Sequence, residues 1–153
     1  MKPYNIKIDG YITSFDYVTA NDTKLSIKIS MMGAYQLINA CTAIENVRSL
    51  KKIKGNIFSD ENIIEGMKNA KWPGRMEIIN ESPLIVIDGA HNPGAAVKLK
   101  ESIEMYFTNK RIAFIMGVLA DKDYSKEIKI VAGLAKRFLQ LRQIIKEHLM
   151  VKR

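Results

Sequence analysis

The clearest pattern in the chain is a period of two. Leu25, Ile27 and Ile29 alternate with Ser26, Lys28 and Ser30. Just before them, Phe15 and Tyr17 alternate with Ser14 and Asp16, and Ile6 and Ile8 with Asn5 and Lys7. Side chains on a strand point alternately to its two faces, so this pattern predicts an antiparallel β-meander over 4–30, apolar inside and polar outside. Asn21-Asp22 supplies the turn between its last two strands. The period then lengthens. Leu37, Ile38, Cys41, Ile44 and Val47 form an apolar stripe at helical spacing, predicting a helix from about Ala34 to Leu50. A second helix is expected from Ser59, an N-cap residue followed by Asp60 and Glu61 in the positive first turn, with Ile63, Ile64, Met67 and Ala70 as its packing face.

Lys71 to Gly74 reads as a boundary, because Pro73 disfavours helix at Trp72 and Gly74 frees the backbone. Beyond it the apolar positions run together. Met76-Glu77-Ile78-Ile79 is a short strand, and Asn80-Glu81-Ser82-Pro83 turns the chain. Leu84-Ile85-Val86-Ile87, apolar on both faces, predicts a central parallel strand. Asn92 and Pro93 fit the N-cap and first position of a helix, with Val97, Ile103, Tyr106 and Phe107 facing the sheet. Ile112 to Val118 is a second buried strand, so strand, helix and strand predict a βαβ unit. From Ile128 through Val131, Leu134, Phe138, Leu141, Ile145 and Leu149 the spacing is roughly helical to the end.

Composition narrows the class. The 153 residues are 47% hydrophobic and 26% charged, as in a globular protein. A net charge of +8 raises the question of nucleic acid. Six of the Lys and Arg residues, against one Glu, lie in 136–153, and the rest of the chain is nearly balanced, so a nucleic-acid partner is not expected. No apolar run approaches the roughly 20 residues of a membrane span, and Met1-Lys2-Pro3-Tyr4 lacks a signal-peptide core. The single cysteine, Cys41, lies on an apolar helix face and predicts a buried thiol in a cytoplasmic protein. His91, His148 and Cys41 are too far apart for metal-ligand spacing, and no Gly-x-Ser-x-Gly elbow supports hydrolase chemistry.

Candidate chemistry concentrates in one stretch. Trp72-Pro73-Gly74-Arg75 is followed, thirteen residues after Arg75, by Asp88-Gly89-Ala90-His91-Asn92-Pro93. Asp88, His91 and Asn92 thus stand between a strand's carboxyl end and a helix N-terminus, where α/β sheets bind ligands and where phosphate or carboxylate is favoured. These two motifs, in this order and spacing, resemble the folylpolyglutamate synthase/dihydrofolate synthase family of the Mur-ligase superfamily. Gly33-Ala34-Tyr35-Gln36-Leu37-Ile38-Asn39 resembles the family's Gly-x-x-Gln-x-x-Asn pattern, with Tyr35 where the family usually has His. Ala120-Asp121-Lys122-Asp123-Tyr124 resembles its Asp-Lys-Asp loop.

The resemblance covers roughly residues 4–138. It implies an α/β fold: the end of a Mur-ligase-type ATPase domain (1–71), the start of an incomplete Rossmann-like C-terminal domain (72–138), and a divergent basic tail (139–153). The family puts another strand soon after Ala135-Lys136-Arg137-Phe138, where this chain keeps helical spacing, which suggests a truncated or frameshifted gene. The implied reaction is ATP-dependent addition of glutamate to folate or dihydropteroate, with ATP and Mg2+ as cofactors. It assigns Asn39, Arg75 and Asp88 to ATP and makes His91 the catalytic candidate. Arg75 suits phosphate oxygens, because guanidinium is always charged and binds them in a fork. Asp88 can bond ribose, orient Arg75 or hold a water near magnesium. His91 can meet a phosphate oxygen or the incoming glutamate. No phosphate-loop motif, Gly-x-x-x-x-Gly-Lys-Ser/Thr, occurs in the chain. Little activity is therefore expected from it alone, and a separate N-terminal ATPase half is an expected partner. Otherwise a monomer with no membrane partner is expected. The alternatives are another Mur-type amino-acid ligase and a non-catalytic nucleotide- or partner-binding remnant.

Overall fold

A computed structural model of the chain describes residues 2–55, 58–118 and 124–142. It divides into two compact units, one of Met1–Gly89 with Glu101–Thr108, the other of Ala90–Lys100 with Asn109–Arg153.

The first unit is built on the predicted meander. Strands β1 (Tyr4–Asp9), β2 (Ile12–Val18) and β3 (Lys24–Ile29) form an antiparallel sheet in that order. The register sets Thr13 opposite Ile29, Phe15 opposite Ile27 and Tyr17 opposite Leu25. All six are buried, so one face of the sheet is the core wall. Asp22 makes the turn in left-handed geometry, and its N–H donates to the Thr19 carbonyl at 3.0 Å. Strand β1 departs from the expected one-sided burial: all six of its residues are exposed, and its register slips beside Asn5, which has positive φ.

Helix α1 (Gln36–Lys54) lays Leu37, Ala40, Cys41 and Ile44 on the sheet. Ile38 is not part of that stripe. It is 56% exposed, because residues 37, 41 and 44 fix the buried direction and position 38 lies about 100° around the helix from 37. Helix α2 (Asp60–Asn69) adds Ile63 to the core. Its predicted cap is present as a reciprocal box. The Asn62 N–H donates to Ser59 Oγ at 3.2 Å, and the Ser59 N–H donates to Asn62 Oδ1 at 3.0 Å. Tyr17 Oη donates to Glu45 at 3.0 Å, tying β2 to α1 through a buried phenol.

Strands β4 (Glu77–Glu81) and β5 (Leu84–Ile87) follow as a hairpin around a cis Ser82-Pro83 bond. This corrects the sequence reading of β5 as a central parallel strand. Two residues can join only antiparallel neighbours, and β5 pairs antiparallel with β4 alone among the described residues. Leu84, Ile85 and Ile87 stay exposed.

Helix α3 (Pro93–Tyr106) begins at the predicted proline, with the Ala95 N–H donating to Asn92 Oδ1 at 2.9 Å as an N-cap. Its last turns belong to the first unit. Ile103 is buried, Tyr106 Oη shares a hydrogen bond with Thr13 Oγ1, and Phe107 lies against Tyr11 with ring centroids 6.3 Å apart. Val97, expected on the same face, is exposed instead.

In the second unit β6 (Ile112–Val118) and β7 (Ala135–Arg142) form a parallel pair, connected through α4 (Tyr124–Val131) and a 3-10 turn at Ala132–Leu134. Among the described residues the parallel partner of β6 is β7. Phe114 and Phe138 stack across the pair at 5.9 Å. Strand β7 also corrects the helical reading of the tail over 135–142. A short run such as Phe138-Leu139-Gln140-Leu141 fits both periods, and pairing with β6 decides for the strand. The expected Asp121-Lys122-Asp123 loop and the tail from 143 on, with His148, lie outside the described residues. Among those described, no helix is long and apolar enough to cross a membrane.

Candidate functional site

The two sequence motifs meet through the backbone. Gly74, at φ +71, allows the turn after Pro73, and its N–H donates to Glu77 Oε2 at 2.7 Å. The Gly89 N–H donates to the Gly74 carbonyl at 2.8 Å, which fastens the Asp-Gly loop to the Trp-Pro-Gly-Arg turn. The approach is close. A Cβ at Gly89 would stand 3.4 Å from the Gly74 oxygen and 3.8 Å from Arg75 Nη1. Met76, buried, adopts φ +47, an uncommon conformation for a residue with a side chain. Its N–H donates to Asp88 Oδ2 at 3.0 Å, so the carboxylate helps hold the turn in that conformation.

A third segment reaches the same carboxylate. Tyr35, the residue before α1, donates its Oη to Asp88 Oδ2 at 3.2 Å. Its ring rests against Gly33, where a Cβ would stand 2.9 Å from two ring carbons. The turn is pinned by the Gln36 N–H on the Gly33 carbonyl and by the Ala34 N–H on Ser102 Oγ, each 2.9 Å. Ser102 is fully buried. Burial, and next the negative charge of Asp88, push the Tyr35 phenol up to about 12, while Arg75 pulls the other way. The phenol is therefore a neutral donor at ordinary pH.

Of the residues singled out in the sequence, Asp88 is bonded to Tyr35 and Arg75 lies close to Gly89, both in the first unit. Asn39 is exposed on the first turn of α1, and its Nδ2 donates to Gln36 Oε1 at 3.0 Å, within its own turn. His91 is an exposed residue immediately before the N-cap of α3, in the second unit. Tyr35 and Glu77 carry contacts that sequence reasoning did not assign. The signal for Tyr35 was its place inside the glycine–glutamine pattern. Glu77 had none. Among the described residues no three of His, Cys, Asp or Glu converge as a metal cage.

With this geometry in view, the likeness to known proteins is specific. The family model of the Mur ligase glutamate ligase domain matches residues 74–145. A dihydrofolate synthase/folylpolyglutamate synthase of Bacillus subtilis is 35% identical over 121 residues, covering 79% of this chain and 28% of the relative. The chain belongs to the folylpolyglutamate synthase/dihydrofolate synthase family. A folylpolyglutamate synthase of Lacticaseibacillus casei is 34% identical over 119 residues, covering 78% of this chain and again 28% of the relative. A solved FPGS–AMPPCP–folate complex superposes with a TM-score of 0.81 at 29% identity, covering 88% of this chain and 33% of that one. The mixed α/β arrangement matches the C-terminal domain of such structures. The chain thus spans under a third of the length of these relatives.

Proposed function

We propose that this chain supplies part of the nucleotide and glutamate site of an ATP-dependent ligase that adds glutamate to folate or dihydropteroate. The observation that carries the reading is the Gly89 N–H bond to the Gly74 carbonyl, which joins the family's two motifs and brings the Arg75 guanidinium close to Gly89. The solved relative in complex with AMPPCP and folate supports ATP and folate as the ligand classes. The start of the family model at residue 74 supports a domain boundary near residue 72, with residues 1–71 as the end of the ATPase domain.

In this reading the folate-type carboxylate attacks the γ-phosphorus of ATP, the bond to the β–γ bridging oxygen breaks, and ADP leaves. The acyl phosphate formed is attacked at its carbonyl carbon by the amine of glutamate, the amide forms, and phosphate leaves. Such chemistry depends on positioning and on neutralising phosphate charge. Arg75 serves the charge, since its exposed guanidinium offers a fork of donors to phosphate oxygens. Asp88 orients the turn that carries Arg75, through the Met76 N–H, and serves nucleotide hydroxyls. Asn39 contributes an amide to ATP, and His91 serves phosphate oxygen or the glutamate. Magnesium, when bound with ATP, neutralises further phosphate charge. Because no phosphate-loop motif occurs in the chain, the reading requires one from another polypeptide segment.

The test is ATP-dependent phosphate release with glutamate and a folate substrate, run on the chain alone and with the relatives' N-terminal half supplied in trans. Release is expected only with the added half, and to fall at least about tenfold in Arg75→Ala, the loss of one charge-assisted phosphate contact. No release in either arm, from protein shown to be folded, sinks the ligase reading. Release from the chain alone overturns the need for a phosphate loop.

A further inference from the structure

We propose that Tyr35 is a positioning residue of the nucleotide site: its hydroxyl holds one oxygen of the Asp88 carboxylate beside the Arg75 turn. The proposal rests on the reading of Asp88 as an ATP ligand. Two donors converge on the single oxygen Oδ2, Tyr35 Oη at 3.2 Å and the Met76 N–H at 3.0 Å. They come from segments far apart in sequence, so together they fix both the rotation of the carboxylate and its distance from the turn. The segment that carries the tyrosine is itself fixed. Gly33 leaves room for its ring where any Cβ would collide, and Ser102 Oγ anchors the Ala34 N–H one residue earlier. A side chain so seated loses little further entropy in making its bond.

The titratable and charged groups around the phenol are Asp88, Arg75 and Tyr106. Burial and Asp88 keep the proton on Tyr35 up to about pH 12, so the donor does not switch over the range in which enzymes work. A histidine in its place would change charge near pH 6.5. Tyrosine thus makes the hold on Asp88 independent of pH between about 6 and 9.

The experiment uses the full chain. Amide hydrogen exchange at Met76 is measured by NMR in the native chain, in Tyr35→Phe, in Asp88→Ala and in the double variant. One hydrogen bond to a carboxylate is worth about a factor of ten, so Tyr35→Phe is expected to speed exchange at Met76 about fivefold to tenfold. In the Asp88→Ala background the same change is expected to do nothing, because the two residues act through one bond. With the N-terminal half in trans, Tyr35→Phe is expected to raise the KM for ATP about fivefold and leave the KM for glutamate unchanged. Tyr35→His is expected to give an ATP KM that varies with pH around 6.5 where the native chain is flat. Unchanged Met76 exchange in Tyr35→Phe, or an equal effect with and without Asp88, overturns the proposal. A silent native enzyme in the trans assay sinks the ligase reading instead, and the exchange data still decide whether Tyr35 holds Asp88. If Tyr35→Phe does not fold, the ring 13Cζ titration of Tyr35 in Asp88→Ala decides. A midpoint falling from about 12 toward the usual 10 supports the bond, and an unmoved midpoint overturns it.

Discussion

Strands β2 and β3 bury every second side chain, while β5, β6 and β7 leave large apolar side chains in solvent. Ile27 and Ile29 are 1% exposed, but Ile115 is 70% exposed and Leu139 and Leu141 more than half. The difference lies in what each pattern asks for. An alternating strand needs one cover, and α1 and α2 supply it. A strand apolar on both faces needs two, and among the described residues the hairpin β4–β5 and the parallel pair β6–β7 are two-stranded sheets without such cover on both faces. The meander is therefore the region where sequence pattern and packing agree, and stability should be concentrated there.

The sharpest test pairs two isoleucines. Ile44→Ala removes a fully buried side chain from the centre of the first core and should cost about 2–5 kcal/mol. Ile115→Ala, on the exposed face of β6, should change stability by no more than about 0.5 kcal/mol. Urea unfolding followed by circular dichroism measures both. Equal costs would break the contrast, by placing Ile115 under a cover that the described residues do not provide.

A change in the opposite direction is expected at Glu127. This side chain of α4 is 1% exposed, and among the described residues neither carboxylate oxygen has a hydrogen-bond partner. Burying such a group without a partner is costly, so Glu127→Met should raise stability by about 1–3 kcal/mol. A loss of stability on this substitution would mean that the carboxylate has a partner in solution. A smaller effect is expected at the α2 cap. Ser59→Ala breaks one arm of the box and should cost about 1 kcal/mol, while Ser59→Asp should restore most of it. If Ser59→Ala is neutral, the helix start is held by core packing at Ile63 rather than by its cap.

The meander, both early helices, the Ser59 cap and the Asn92-Pro93 helix start were legible because each rests on a local rule. Period, cap chemistry and proline geometry act within a few residues. Partner choice among strands was not legible. The run Leu84–Ile87 states that its faces are apolar but not which strand lies beside it, and a two-residue turn overruled the expectation of a parallel neighbour. The same ambiguity let Ala135–Arg142 read as helix. At the candidate site, Arg75 and Asp88 stood out through their motifs, and the structure adds the bond between the motif backbones. The bond of Tyr35 to Asp88 spans 53 residues and follows from no local pattern.

The smallest expected effects come from ionisation in the meander itself. Asp16, on the outer face of β2, accepts from Asn5 Nδ2 at 2.9 Å and from Ser26 Oγ at 2.8 Å, with Lys24 Nζ 3.3 Å away. The Asn5 and Ser26 bonds, and then Lys24, hold its carboxyl below the usual carboxylate range. The folded value is the lower one, so this contribution is present above the usual value of 3.8 and is lost as pH falls through the depressed value. On the inner face the sign reverses. Burial, and next the Glu45 acceptor, push the Tyr17 phenol from 10 up to about 12, so its contribution is complete below pH 10 and disappears as pH rises through 12. Unfolding midpoints across pH should therefore show a shallow acid limb that Asp16→Asn flattens and an alkaline limb that Tyr17→Phe flattens. Added salt should weaken the Lys24 part of the acid limb more than the alkaline limb, because Lys24 is exposed whereas the Tyr17–Glu45 bond is partly buried. An alkaline limb that responds to salt as strongly would mean that the Tyr17–Glu45 bond is not sealed from solvent, and the inner face of β2 would lose its claim to be the dry wall of the core.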